Sequence, residues 1–81
     1  MVTQSFQKYK DYTIRLRAVT GGGFGYSIIK QKPNSSSPNG MKNIYLRTET
    51  YEFISSDRLL FKAKNYIDNF EDRLIEKYNR L

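Results

Sequence analysis

From residue 12 to residue 19, apolar and polar positions alternate one for one. Tyr12, Ile14, Leu16 and Ala18 fall on one side, and Thr13, Arg15, Arg17 and Val19 on the other. A period of two is the pattern of a half-buried strand, here with one apolar face and one face carrying two arginines. Three consecutive glycines, Gly21 to Gly23, close it, because glycine packs no side chain and accepts positive φ. A second strand is predicted over residues 24–31, with Phe24, Tyr26 and Ile28 on one face. Gly25 inside it signals a bulge or a close backbone approach. A third is predicted over residues 44–53. Ile44 and Leu46 lie on one face there and Tyr51 and Phe53 on the other, so a bulge near Thr48 is needed to reconcile them.

The period then changes. Leu60, Ala63, Ile67, Phe70 and Leu74 recur at three- and four-residue steps, flanked by Leu59, Tyr66, Tyr78 and Leu81. Ser55 or Ser56 can cap the helix and Asp57 suits its positive end. No glycine or proline interrupts the run to Leu81. The predicted fold is α+β: a three-stranded antiparallel meander followed by one long C-terminal helix, β-β-β-α, in a single domain over residues 1–81. Residues 1–7 read as a flexible arm. Residues 32–43, with two prolines, three serines and Asn39-Gly40, read as a flexible loop.

An eight-residue strand spans about 26 Å and a 24-residue helix about 36 Å. The last helical turns therefore either overhang the sheet, or fray or bend near Asn69. An overhang would leave Leu74, Ile75, Tyr78 and Leu81 needing a partner, and a homodimer is one way to cover them. A single helix also leaves one sheet face open.

Charge sharpens this picture. Residues 1–47 hold eight basic residues and one acid, a net of +7, whereas residues 48–81 hold six basic and seven acidic residues. The excess sits in the half that reads as strands and loops, which points to one cationic surface and an acidic or polyanionic partner. Arg15, Arg17, Lys30, Lys32, Lys42 and Arg47 supply the candidate charge, with Tyr26 and Tyr45 as candidate stacking rings. Residues 61–65, F-K-A-K-N, put Lys62 and Lys64 in the helix that follows three strands. That faintly resembles the basic helix start of double-stranded-RNA-binding domains. The likeness covers the β-β-β-α part only, and the lysines fall nearly two turns into the helix.

Other chemistry has little to stand on. The chain has no cysteine and no histidine, which removes thiolate metal sites and the commonest general acid–base group. The pairs Glu49/Glu52 and Asp68/Asp72 have no accompanying nucleophile. G-G-G-F-G precedes a strand rather than a helix and reads as a hairpin turn, not a phosphate cradle. No apolar run approaches the length of a membrane span. The sequence thus predicts a cytoplasmic, non-enzymatic binding module without a cofactor. It would act through its basic sheet face on an acidic protein surface, as an adaptor, a regulator or an inhibitor carried by a phage or mobile element. The alternative is that the same face binds nucleic acid.

Overall fold

Backbone pairing, rather than side-chain patterning, builds the first strand. In the computed structural model, which describes residues 4–19 and 21–80, Gln4–Tyr9 (β1) runs antiparallel to Tyr12–Ala18 (β2), from Gln4 opposite Arg17 to Tyr9 opposite Tyr12. The two are joined by Lys10 and Asp11, with Lys10 at a φ of 54°. The meander therefore has four strands, not three. Gln4 to Gln7, read above as a flexible arm, lie in the added strand, and residues 1–3 fall outside the described residues. Phe24–Pro33 (β3) pairs with β2, and Met41–Tyr51 (β4) pairs with β3, giving the order β1-β2-β3-β4 with every neighbour antiparallel.

The β3–β4 hairpin corrects a second expectation. Lys32 pairs with Lys42 and Pro33 with Met41, so the loop shrinks to residues 34–40. That loop is bonded to itself: Asn34 N donates to the Gly40 carbonyl (2.9 Å), and Asn39 Oδ1 accepts from Met41 N (3.0 Å) and Ser37 Oγ (2.9 Å). At the other end of β3, Gly23 (φ 89°) has no room for a side chain. A Cβ there would lie 2.1 Å from the Tyr51 carbonyl oxygen. Gly25 is a close approach as well, with a Cβ falling 2.9 Å from Thr50 Cγ2.

Ser56–Arg80 (α1) crosses one face of the sheet against β2, β3 and β4. Ser55 caps it, its Oγ accepting from Arg58 N at 3.3 Å. The core joins Tyr12, Ile14, Tyr26, Ile28, Ile44 and Leu46 of the sheet to Leu59, Ala63, Ile67 and Leu74 of the helix. Burying each large apolar side chain contributes about 1.5–3 kcal/mol. Leu59, rather than Leu60, leads the buried stripe.

Phe70 breaks the helix, at φ −130° and ψ 29°. At the preceding residue, Asn69 Nδ2 donates to the Asn65 carbonyl (2.8 Å), so a side chain joins the backbone ladder just before the bend. An unbroken helix would place Phe70 inside the buried stripe. Here its ring stands 37 % exposed, 4.8 Å from the Tyr66 ring. The bend keeps the last turns on the sheet, and β3 and β4, at ten and eleven residues, run about 33–36 Å beneath a helix of about 37 Å. Of the two outcomes weighed for the helix end, the bend occurs and the overhang does not. Leu74 is 2 % exposed in the monomer's own core, Tyr78 packs against that core, and Ile75 is exposed. Leu81 lies outside the described residues.

Leu74→Ala should therefore lower the unfolding free energy by about 2–5 kcal/mol. Ile75→Ala, one position on, should cost under about 1 kcal/mol. Urea denaturation checks both, and equal effects would place the last turns off the sheet.

Candidate binding face

The face away from the helix is read from the strand register. Its rows are Gln4–Arg17–Gly25–Thr50, then Phe6–Arg15–Ser27–Thr48, then Lys8–Thr13–Ile29–Tyr45. None of these positions is Asp or Glu. Lys8, Arg15 and Arg17 supply positive charge, and two exposed rings, Phe6 at 60 % and Tyr45 at 47 %, stand on the outer strands.

The middle of this face is lower than its sides. Gly25, Ser27 and Ile29 of β3 are buried although no helix covers them. Ser27 Oγ and Thr48 Oγ1 are bonded at 3.1 Å. Ile29 is 3 % exposed, set between Thr13 of β2 and Tyr45 of β4, and the Arg15 guanidinium donates to the Tyr45 hydroxyl (3.4 Å) across β3. Arg15 Nε also donates to Gln4 Oε1 at 3.0 Å. Arg15 is thus bonded on two sides within the sheet.

The residues singled out from sequence are split into three groups. Arg15, Arg17 and Tyr45 share the open face. Tyr26 and Arg47 do not join them, because the ladder slips one residue between Ile28 and Ile29, leaving Leu46 unpaired. Beyond this bulge, Arg47, Glu49 and Tyr51 turn under the helix. Tyr26 is 1 % exposed, and its hydroxyl accepts from Arg47 Nε at 3.2 Å. The Arg47 guanidinium lies 4.1 Å from the Tyr66 ring centroid and pairs with Glu49, which also accepts from the Tyr51 hydroxyl. The third group is Lys30, Lys32 and Lys42, which the register places on the helix side near the helix C-terminus. Lys30 and Lys32 lie 4.5 and 5.4 Å from the Tyr78 ring centroid.

Two open-face residues escaped the sequence reading, Phe6 and Lys8. Both belong to β1, whose only apolar side chain within the arm, Phe6, points outward. The helix holds this hairpin. Tyr9 Oη donates to both Asp68 carboxylate oxygens at 2.9 Å, and Lys10 Nζ lies 2.7 Å from Asp68 Oδ1. Bonds from Lys10 and then Tyr9 hold the Asp68 carboxyl below the ordinary aspartate value. The bond to Asp68 raises both Tyr9 and Lys10 above theirs.

Lys62 and Lys64 do not form one basic helix start. Two residues apart on a helix, they splay, Lys62 toward the Tyr51 ring on β4 and Lys64 toward the Tyr9 ring on β1. Among the described residues, no three His, Cys, Asp or Glu side chains converge as metal ligands, and no helix is long and apolar enough to cross a membrane. No protein-family model, no curated protein and no solved structure matches the chain.

Arg47→Ala would leave the buried Tyr26 hydroxyl without its donor and Glu49 without its cation, with only the Tyr51 hydroxyl still bonded to the carboxylate. It should cost about 1–3 kcal/mol in urea denaturation. Arg47→Lys should restore only part of that, since an ammonium cannot lie flat on Tyr66 and bond Tyr26 as a guanidinium does. The Asp68 cluster adds a pH dependence. Its carboxylate contributes stability above the ordinary aspartate pKa of about 3.9, lost as pH falls through the depressed folded value. Tyr9 and Lys10 contribute below their ordinary values of about 10 and 10.4, lost as pH rises through the raised ones. Asp68→Asn should flatten both limbs of a plot of urea midpoint against pH.

Proposed function

We propose that the chain is a non-enzymatic binding module that takes an acidic partner on the open sheet face. One observation carries this reading. Lys8, Arg15 and Arg17 share a four-stranded face with no acidic position, while Glu49, the one acid of β4, pairs with Arg47 on the other face and Asp68 of the helix pairs with Lys10. Long-range attraction to an acidic surface would orient the encounter, and the bonded Arg15 guanidinium would lose little side-chain freedom on contact. Leu74 is used inside the monomer, so support for a partner comes from the sheet and not from the end of the helix. An adaptor, regulator or inhibitor role is compatible with such a face, which needs no catalytic group.

The test holds net charge constant while moving its location. Arg15→Gln with Arg17→Gln removes two charges from the open face. Arg58→Gln with Arg73→Gln removes two from exposed helix positions. On a heparin column the sheet double variant should elute at clearly lower salt than the helix double variant. Equal elution would mean that overall charge, and not this face, governs polyanion binding.

A further inference from the structure

Resting on the reading of the open face as the binding surface, we infer that its partner is single-stranded nucleic acid, with bases stacked on Phe6 and Tyr45 and phosphates held by Lys8, Arg15 and Arg17. The inference comes from how rings and charges are arranged. Phe6 stands on β1 and Tyr45 on β4, the two outer strands, so three strand spacings, about 14 Å, separate them across the sheet. Arg15 lies in the same row as Phe6 and reaches over β3 to Tyr45. A strand of nucleotides laid from one ring to the other crosses that guanidinium. Of the five N–H groups of a guanidinium, the bonds to Gln4 and Tyr45 engage two, which leaves donors for phosphate oxygens.

Three features favour this partner over others of the same charge. The rings are 60 % and 47 % exposed and flank the cations, an interleaving that suits unstacked bases, whose flat faces pair with rings while their phosphates meet arginine. An acidic peptide would satisfy the cations but leave Phe6 unused. A duplex hides its base faces in its own stack, and a sheet about 14 Å across, before its side chains are added, is wider than the roughly 12 Å major groove. On β3, between the two rings, Gly25, Ser27 and Ile29 set no charged side chain in the path of the strand.

The experiment measures fluorescence anisotropy with labelled oligothymidylate, oligouridylate, a DNA duplex of the same length and poly-glutamate, at about 50 mM salt and above. Phe6→Ala, Tyr45→Ala and the Arg15→Gln/Arg17→Gln double variant are compared with the unaltered chain. Tyr45→Leu is added because it removes the ring while keeping an apolar side chain opposite Ile29, and thermal melts verify folding. The expected result is tighter binding of a single strand, DNA or RNA, than of duplex or poly-glutamate. Loss of either ring should weaken single-strand binding roughly 5- to 150-fold. Poly-glutamate binding and the salt slope should hardly change in the ring variants, while the arginine double variant should lower the slope by about 2. Duplex or poly-glutamate bound at least as tightly, or folded ring variants with unaltered affinity, overturns the inference yet leaves the binding face standing. No binding of any polyanion, or no effect of the arginine variant, overturns both.

Discussion

A single unpaired residue in β4 decides what each face of the sheet carries. Leu46 has no partner across the ladder between Ile28 and Ile29, and both Leu46 and Arg47 turn toward the helix. Its carbonyl accepts from Lys77 Nζ on the helix at 2.9 Å, so the irregularity is tied to the element packed above it. With strict alternation, Tyr45 would share its face with Arg47, Glu49 and Tyr51, and Thr48 and Thr50 would lie beneath the helix. A one-residue slip flips every later side chain. The bulge therefore does two things at once. It lets Ile44, Leu46 and Tyr51 serve one core, and it removes Glu49 from the open face, leaving that face with cations and no acids.

The same residue explains why Arg47 belongs to the interior. A guanidinium under a helix is costly unless its charge and its donors are matched. Here Glu49 matches the charge, Tyr26 takes the Nε–H, and Tyr66 covers the flat face. Tyr66 links this cluster to the bend, its ring lying 4.8 Å from that of Phe70 and 4.1 Å from the Arg47 guanidinium.

Much of this architecture was legible in the sequence, and what was not has physical causes. Alternation identified β2 and β3, spacing identified the helix, and the parity of Arg15 and Arg17 placed them on the uncovered face. β1 gave no such signal. It pairs through its backbone, its helix-side residues Ser5 and Gln7 are polar, and its turn uses Lys10 at positive φ where glycine or asparagine would have announced it. Losing β1 also lost Phe6 and Lys8 from the site. The proline- and serine-rich stretch hid the ends of β3 and β4, whose Lys32–Lys42 and Pro33–Met41 pairings are again backbone features. Strands taken as too short made the helix look too long, and their true length together with the bend at Phe70 is why the expected unpartnered helix end does not occur. The need for a bulge was readable from Ile44, Leu46 and Tyr51, but its effect on Arg47 follows only once the slip is located before residue 47.

The open face also takes part in the packing of the monomer itself. Ile29 is buried on the side without a helix, opposite Tyr45, whose hydroxyl Arg15 bonds across β3. A partner that drew Arg15 away by charge alone would break that bond, offsetting part of the attraction. On the proposed reading of this face as a binding surface, a planar ring laid over Tyr45 would add apolar contact that a ligand offering charge alone does not supply.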